Sequence, residues 1–393
     1  MGDPWLTIIG MADDTAEALP PASSAALADA EVIIGGARHL ELVDAGARGT
    51  PWPIPFSIDP VLAAEGRKTV VLASGDPFWF GAGGSLVDHL DPGTWRVIPA
   101  PSTFALVAGR LGWRMEDITC HGLHAAPYAR LRAALAPNAR MICLVRDGAA
   151  PAELASWLTM HNAGDARLYI CERMGGVAER IRETTAATFD LTDINTPVAV
   201  AIALPPNTGL SRASGLPDDT FANDGQITKR PVRALTLSAL APRPGELLWD
   251  IGAGSGSISV EWCLAGGTAV AFEQHAARVA NIAQNIESFG IDHRMRVQHG
   301  TAANLIPDAP TPDAVFVGGG GTAALFAHLF GLLPKGVRLV ANGVTLETEA
   351  LLTTLHAKHG GDLMRIEIAQ ATPLGAMRGW NPTRAIVQWS MQI

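Results

Sequence analysis

The residues that most clearly predict chemistry form a glycine-rich loop in the second half of the chain. Asp250 is followed by glycines at positions 252, 254 and 256, between a predicted strand and a predicted helix. Glycine lacks Cβ, so the backbone can turn tightly there and approach a ligand, while the helix start presents unpaired N–H groups. Glu273 ends the next predicted strand, where a carboxylate can accept both hydroxyls of a ribose. The loop therefore predicts a nucleotide-like ligand.

Two ligands suit this loop, a dinucleotide and S-adenosylmethionine. The dinucleotide fingerprint requires its third glycine at position 257, which is Ser257 here. The observed glycine spacing, together with a predicted antiparallel hairpin at the end of the chain, favours a seven-stranded methyltransferase sheet and S-adenosylmethionine. An NAD-dependent oxidoreductase and a purely structural turn are the alternatives.

Two further loops are predicted to border the same pocket, because ligands of parallel sheets bind at the carboxyl ends of the strands. One contains His299, Gly300, Thr301 and Ala302, and the other is the run of four glycines at 318–321. Consecutive glycines at a strand end suggest the close approach of a bulky ligand. A flexible loop is the alternative interpretation.

The first half has its own loops of this kind. Ser74–Gly81 contains Gly75-Asp76-Pro77 after an apolar strand, and Pro99–Thr103 follows the next strand. Gly-Asp-Pro alone is an ordinary turn signal. Because both loops follow predicted strand ends, they could also hold a cofactor.

Short strands rich in Val and Ile alternate with helix-length segments along the first half. This alternation predicts an α/β architecture with a mostly parallel sheet, which a break near Gly112 could divide into two lobes. The predicted strands are Trp5–Gly10, Glu31–Gly35, Thr69–Gly75, Trp95–Ala100, Ile118–Leu123, Arg140–Val145, Arg167–Cys171 and Pro197–Leu204.

The second half alternates more clearly, and its helix over His275–Phe289 is closed by Gly290. Leu363–Ala369 and Arg384–Ser390 have no helix pattern between them and predict an antiparallel hairpin. The other predicted strands are Leu247–Gly252, Ala269–Glu273, Met295–His299, Asp313–Gly318 and Val337–Ala341. We expect domains at residues 1–204 and 226–393, joined by a polar linker at 205–225.

Composition narrows the class of protein. The 393 residues are 48% apolar and 17% charged, with a formal net charge of −9, which predicts a globular protein and argues against nucleic acid as the partner. No apolar run is long enough for a membrane helix, and the first cationic residue is Arg38, so no signal peptide is expected. The four scattered cysteines predict neither disulfides nor a metal site. We expect a cytoplasmic homo-oligomer without metal.

Several motifs together resemble known families. The first half is similar to the tetrapyrrole methylases, and the second half resembles the decarboxylating methyltransferases of the cobalamin pathway. The first resemblance is carried by Gly35–Leu40, Ser74–Gly81 and Pro101–Thr103, and the second by Thr228–Leu235, Asp250–Gly256, Asp313–Gly321 and Ala341–Thr348. The resemblance implies a two-lobed tetrapyrrole-methylase fold followed by a Rossmann-like seven-stranded class-I methyltransferase domain.

The same resemblance implies an enzyme of corrin biosynthesis that uses S-adenosylmethionine. It would methylate C5 of a precorrin with its first half, and methylate C15 and decarboxylate the C12 acetate with its second. The implied cofactor contacts are Gly75, Asp76, Ser102 and Thr103 in the first half, and Thr228, Gly252, Ala253, Gly254, Ser255, Gly256, Glu273 and Ala302 in the second. The chain departs from the family in the loop at Met11–Asp14 and at Thr301, which offers no carboxylate to an adenine.

A precorrin carries many carboxylates, so basic residues should bind it. Arg230 and Arg233 are the preferred candidates because they lie near the predicted cofactor loops. Further candidates are Arg38, His39, Lys229, Arg378 and Arg384. The sequence assigns no catalytic residue, which agrees with methyl transfer that depends on orientation. Rival hypotheses are a non-enzymatic cofactor-binding protein and an enzyme with only one active half.

Overall fold

A computed structural model describes residues 4–12 and 19–393, so Asp13 and Asp14 of the divergent loop lie outside the described residues. The chain divides into two compact units. The first unit contains the residues up to Tyr128 together with Ala134–Thr208, and the second contains Ala129–Ala133 and Gly209–Ile393. Within the described ranges, no helix is long and apolar enough to cross a membrane.

The first lobe of the first unit is built on a parallel sheet. Its strand order is β3-β2-β4-β1-β5 across the part of the chain that the structure describes. The central strands are apolar and buried along their length, as strands covered on both faces must be. The elements are β1 (Leu6–Met11), α1 (Pro21–Asp29), β2 (Val32–Gly35), α2 (Ala37–Leu42), β3 (Gly49–Pro51), α3 (Asp59–Leu62), β4 (Thr69–Ser74), α4 (Ala82–Val87), β5 (Trp95–Ile98) and α5 (Thr103–Leu111).

The second lobe begins after Gly112, which ends α5 in the left-handed conformation at φ 65°, so the predicted break is confirmed. Its elements are β6 (Ile118–Gly122), β7 (Arg140–Leu144), α6 (Ala150–Met160), β8 (Arg167–Glu172), β9 (Arg180–Thr185) and β10 (Val198–Ala203). The strand order of this sheet is β6-β7-β10-β8-β9. Among the described strands of this sheet, only β6 and β7 pair in parallel, and the other pairs are antiparallel. The prediction of a mostly parallel sheet is therefore wrong for this lobe, because the short β8–β9 connection leaves no room for a crossover helix.

Strand β9 was missed because it is rich in charge. Its Arg180 and Arg182 bind the carboxylate of Glu172, which is fully buried at the end of β8. The ion pairs satisfy that buried charge and hold β9 at the sheet edge. A strand stabilised in this way lacks the apolar alternation by which strands are recognised in a sequence.

The second unit has a seven-stranded sheet within the described residues, in the order β13-β12-β11-β14-β15-β19-β16. Strand β19 is antiparallel to both of its neighbours, and the other pairs are parallel. This order confirms the methyltransferase-type sheet and disfavours the dinucleotide alternative. The strands are β11 (Leu247–Ile251), β12 (Thr268–Glu273), β13 (Met295–His299), β14 (Ala314–Val317), β15 (Arg338–Gly343), β16 (Asp362–Ile366), β17 (Ala369–Leu374), β18 (Met377–Pro382) and β19 (Ile386–Gln392).

Helices cover both faces of this sheet, and apolar clusters fill the space between the layers. The helix predicted to begin at His275 begins one residue later, and Gly290 closes it in the left-handed conformation at φ 64°. The helices are α7 (Arg230–Leu240), α8 (Ser257–Leu264), α9 (Ala276–Phe289), α10 (Ala302–Leu305), α11 (Ala323–Leu332) and α12 (Leu346–His359).

The end of the chain is more elaborate than the predicted hairpin. The two predicted strands do pair in antiparallel fashion, as β16 and β19. Between them, β17 and β18 form a second hairpin with its own two-stranded sheet. Most of their side chains are exposed, so these strands lack the alternation that would have revealed them.

The predicted linker at 205–225 is not a free joint. Leu216 and Phe221 are only 2% and 4% exposed, and they belong to the apolar cluster that contains Leu237 of α7 and Trp262 of α8. The Pro, Gly and Asp around them gave the segment a polar composition. Its second part nevertheless contributes to the core of the second unit.

Candidate active sites

A cavity of about 310 Å³ lies in the first unit, with residues of both lobes in its wall. Ser74, Gly75 and Thr103 come from the first lobe, at or just after the carboxyl ends of β4 and β5. Cys171 and Met174 come from the second lobe. The position matches the ligand site of parallel sheets, and the volume suits a small molecule.

Gly75 sets the shape of this cavity. It is left-handed at φ 59°, and a Cβ on it would lie 3.0 Å from Ser102 Cα and 3.3 Å from the Thr103 nitrogen. Its own N–H donates to the Met11 carbonyl over 2.6 Å, which fixes the end of β4 against β1. A side chain at position 75 would therefore push apart the two loops predicted to bind the cofactor.

Of the four predicted contacts in this unit, Gly75 and Thr103 line the cavity and the other two shape its loops. The Ser102 hydroxyl accepts the Ala105 N–H over 3.1 Å and so caps α5. The Asp76 carboxylate accepts the Phe78 N–H over 2.9 Å. The structure thus brings all four residues to one corner of the first unit.

A second cavity, of about 510 Å³, lies at the carboxyl ends of the central strands of the second unit. Gly252, Glu273 and Ala302 line it, together with Gly319 and Gly320 of the four-glycine loop. Both loops predicted to border the pocket do so. Sequence reasoning missed several residues in its wall, among them His275 and Arg278 at the start of α9, and Thr322 and His328 from the N-cap and body of α11.

Glu273 is the anchor of this second cavity. Its side chain is almost fully buried, and one carboxylate oxygen accepts the Gly254 N–H while the other accepts the His275 N–H, both over 2.9 Å. Each oxygen keeps a further lone pair for a ligand hydroxyl. The carboxylate is thus held by the glycine loop on one side and by the start of α9 on the other.

The glycine loop approaches the four-glycine loop very closely. Gly252 has φ 67°, and a Cβ on it would lie 2.4 Å from the Gly319 carbonyl oxygen. Ala253 and Ser255 continue the turn, and Gly256 is the N-cap of α8. The contact leaves no room for a side chain at position 252.

Thr228, another predicted cofactor contact, is not among the described residues that line the cavity. Its carbonyl accepts a hydrogen bond from Arg233 over 2.5 Å. Two residues before it, the Gln226 carbonyl lies 3.1 Å from the position that a Cβ on Gly254 would take. The segment that contains Thr228 therefore packs against the glycine loop.

Asp250, beneath the loop, is completely buried, and its carboxylate accepts the Ser259 hydroxyl over 2.7 Å. Burial raises the pKa of Asp250 to about 6, because the charged form is poorly solvated there. The glycine loop thus rests on a carboxyl group that titrates close to neutral pH.

The structure contradicts the assignment of Arg233 as a substrate-binding residue. Its side chain is fully buried and forms ion pairs with Glu261 over 2.6 Å and Asp218 over 3.0 Å. It also donates to the Leu216 carbonyl and stacks on the Phe221 ring, 4.7 Å from its centroid. Arg233 thus links the segment before α7 to α8. Because its guanidinium is fully buried in these contacts, it cannot contact a ligand.

Arg230, by contrast, is exposed at the first turn of α7, so its assignment stays a prediction. Lys229, Arg378 and Arg384 are exposed as well. In the first unit, Arg38 lines the cavity and His39 is buried beside it.

Comparison with known proteins gives matches along nearly the whole chain. Residues 6–190 match the model of tetrapyrrole (corrin/porphyrin) methylases, and residues 219–393 match that of the precorrin methyltransferase domain. A precorrin-6Y C(5,15)-methyltransferase [decarboxylating] of Sinorhizobium sp is 44% identical over 98% of this chain and 96% of its own length. The protein of the same name from Mycobacterium tuberculosis is 38% identical over 98% and 99%. The crystallised C-terminal domain of precorrin-6Y C5,15-methyltransferase from Rhodobacter capsulatus is 60% identical over 47% of this chain and 100% of its own, with a TM-score of 0.46.

The buried position of Arg233 predicts a structural effect of its removal. Arg233→Met should lower the free energy of unfolding of the second unit by about 3–5 kcal/mol, because Glu261 would keep a buried charge without its partner. Arg230→Met, the exposed control on the same helix, should cost less than about 0.5 kcal/mol. Urea denaturation of both variants tests this, and equal small losses would contradict the network.

The buried carboxyl group predicts a pH dependence. Since the pKa of Asp250 is raised from 3.8 to about 6 in the folded state, the folded protein holds this proton more tightly than the unfolded chain. The resulting stabilisation is present below about pH 4 and is lost as the pH rises through about 6, a change on the order of 3 kcal/mol. Asp250→Asn removes the titration, so the difference in unfolding free energy between wild type and variant should change over this range. Parallel curves from pH 4 to pH 7 would refute it.

Proposed function

The chain belongs to the family of decarboxylating precorrin-6Y C5,15-methyltransferases, and from this premise we propose that it converts precorrin-6Y to precorrin-8X. It would methylate C5 and C15 of the macrocycle and release carbon dioxide from the C12 acetate. The observation that carries the proposal is the pair of separate cavities, each at the carboxyl ends of parallel strands and each bounded by a left-handed glycine. That the protein is a cytoplasmic homo-oligomer stays a prediction.

Each cavity would hold one molecule of S-adenosylmethionine, which supplies an electrophilic methyl group. The residues fit this ligand, because the Glu273 carboxylate at the second cavity keeps lone pairs for the hydroxyls of a ribose, and Gly75 and Gly252 let the loops around each cavity pack closely together. In the second unit, Glu273 would accept the ribose hydroxyls and Ala302 would contact the cofactor from the loop after β13. In the first unit, Gly75 and Thr103 would contact the cofactor, with Asp76 and Ser102 holding their loops in place.

We assign methylation of C5 to the first domain and methylation of C15 with decarboxylation to the second. The family models support boundaries close to the proposed 1–204 and 226–393, since they match 6–190 and 219–393. Residues 205–208 would then form the connection, because Gly209 onward belongs to the second compact unit.

Methyl transfer to carbon requires the reacting carbon to lie in line with the sulfonium bond. The chain's contribution is to hold both partners in that geometry and to exclude water, which can lower a barrier by about 7–11 kcal/mol. The buried Glu273 carboxylate, fixed by two backbone N–H groups, is a rigid anchor of this kind. For decarboxylation, the electron pair of the broken C–C bond would pass into the conjugated ring, and a proton would then have to reach the former methylene carbon to give a methyl group. The protein must therefore bind the reacting carboxylate without stabilising it too strongly and allow that carbon to be protonated.

Mass spectrometry of the reaction tests the proposed function. The purified protein, given metal-free precorrin-6Y and S-adenosylmethionine, should yield a product that has gained two methyl groups and lost one carbon dioxide. Adding NAD to the reaction with S-adenosylmethionine should not change the mass of the product. With NAD in place of S-adenosylmethionine, the mass of precorrin-6Y should stay unchanged. A mass change that depends on NAD would support the oxidoreductase instead.

Glu273 provides a test specific to the second cavity. Glu273→Ala should raise the KM for S-adenosylmethionine in the carbon dioxide-releasing reaction by about 10- to 100-fold, the equivalent of one or two hydrogen bonds to a charged group. Glu287→Ala, on the exposed face of α9, is the matched control. An unchanged KM in Glu273→Ala would place the ribose elsewhere.

A further inference from the structure

A smaller cavity, of about 170 Å³, lies next to the large cavity of the second unit. It is at the carboxyl ends of β14 and β15, and α11 and α12 contribute Phe326 and Leu352 to its wall. Gly319 and Gly320 line both cavities, so a stretch of chain without side chains forms their shared border. Two ligand groups on either side of this border would therefore lie close together.

The wall of the smaller cavity is mostly apolar. Val317 and Phe326 line it and are only 2% and 1% exposed. None of the described residues that line it carries a charge, and its polar side chains are those of Asn342, Thr345 and Thr348. An anion that entered this cavity would exchange water for apolar surface and neutral hydrogen-bonding groups.

A buried network fixes the orientation of the Asn342 side chain. The hydroxyl of the fully buried Thr236 donates to the Val232 carbonyl over 2.9 Å, so its oxygen can only accept from the amides beside it. It accepts from Asn342 Nδ2 over 2.9 Å and from Gln388 Nε2 over 3.0 Å, and Gln388 Nε2 also donates to Asn342 Oδ1 over 3.0 Å. The Asn342 nitrogen carries two hydrogens, of which the described contacts use one. Asn342 therefore keeps a neutral donor on a side chain that is held in place.

The two threonines fix the backbone of the same wall. Thr345 is the N-cap of α12, and its hydroxyl accepts the Thr348 N–H over 3.3 Å. The Thr348 hydroxyl oxygen in turn accepts the Thr345 N–H over 3.1 Å. This capping box satisfies both N–H groups. The segment from Asn342 to the start of α12 is therefore fastened at both of its ends.

The two reactions proposed for the second domain take place on neighbouring parts of the macrocycle. C12 belongs to the pyrrole ring that is bonded to C15. A precorrin that presents C15 to the methyl donor must therefore hold its C12 acetate close to the same place. The border at Gly319 and Gly320 provides two sites that are adjacent in this way.

The chemistry of decarboxylation suits an uncharged wall. As carbon dioxide leaves, the bond between the carboxyl carbon and the methylene carbon breaks, its electron pair passes into the conjugated ring, and a proton from water then reaches the methylene carbon. A site that paired the carboxylate with Arg or Lys would stabilise the starting state more than the transition state, in which this charge has moved into the ring. A mostly apolar site with a neutral donor orients the carboxylate with less stabilisation.

We propose that the smaller cavity binds the C12 acetate of the precorrin during decarboxylation and that the Asn342 amide is the neutral donor that orients its carboxylate. This inference rests on the proposed function and deepens it, because it names the place at which carbon dioxide is released. The first domain and the cofactor cavity take no part in it.

Val344 provides a test by charge, because it lines the smaller cavity and is 49% exposed. The test measures carbon dioxide release by the full-length protein against the concentration of precorrin-6Y, at saturating S-adenosylmethionine. The kcat of Val344→Lys should be about fivefold lower than that of Val344→Met, and its KM for precorrin-6Y should be lower too, because an ion pair at a half-exposed position stabilises the bound carboxylate. A purely steric effect would not lower the KM.

Leu346→Lys is the matched control for the added charge. Leu346 is 80% exposed and is not among the described residues that line the smaller cavity. This variant should release carbon dioxide with the kcat and KM of the wild type. In all three variants, C5 methylation and the KM for S-adenosylmethionine should stay close to the wild-type values.

Asn342→Asp tests the donor itself. The carboxylate can still accept from Gln388, but it replaces the amide donor with a negative charge. The KM for precorrin-6Y in carbon dioxide release should rise by about tenfold or more, while the KM for S-adenosylmethionine stays unchanged. Circular dichroism checks the fold, and if this variant does not fold, the comparison of Val344→Lys with Val344→Met decides.

The outcomes are separable. A wild-type protein that releases no carbon dioxide from precorrin-6Y would overturn the proposed function itself. An active wild type in which Val344→Lys matches either Val344→Met or Leu346→Lys would overturn the acetate site alone. A KM for S-adenosylmethionine that changes as much as that for precorrin-6Y would also overturn it, because it would place the smaller cavity at the cofactor.

Discussion

The close approach of backbone to backbone at the carboxyl ends of parallel strands is the constraint on which both sites depend. In the first unit Gly75 faces Ser102 and Thr103, and in the second Gly252 faces Gly319. In each case a Cβ would collide with the neighbouring loop, and a positive φ makes the position costly for other residues. The two units have different sheets, yet each uses this device to bring loops from neighbouring strands around a cavity.

Two buried charges of the second unit are satisfied in different ways. The Arg233 charge is neutralised completely by Glu261 and Asp218, so this network stabilises the fold. The Glu273 carboxylate is satisfied by backbone N–H groups, which fixes its position but leaves its negative charge and spare lone pairs facing a cavity. The difference separates a structural ion pair from a group available to a ligand.

The sequence predicted what depends on local pattern. The glycine spacing, the strand before it and Glu273 after it placed the second cavity, since residues at neighbouring strand ends must converge. It could not show that Arg233 is buried, because that depends on Glu261, Asp218 and Phe221, which are distant in the chain. His275, Arg278 and His328 were missed for a related reason: which face a helix turns toward a cavity follows from packing. The antiparallel second lobe and the β17–β18 hairpin were missed because pairing partners and exposed strands leave little periodic signal.

The central claim is that each unit holds its own methyl donor. Isothermal titration of the full-length protein with S-adenosylmethionine measures this most directly. The account predicts saturation at two equivalents per chain. Saturation at a single equivalent, with no further heat at high cofactor concentration, would contradict it.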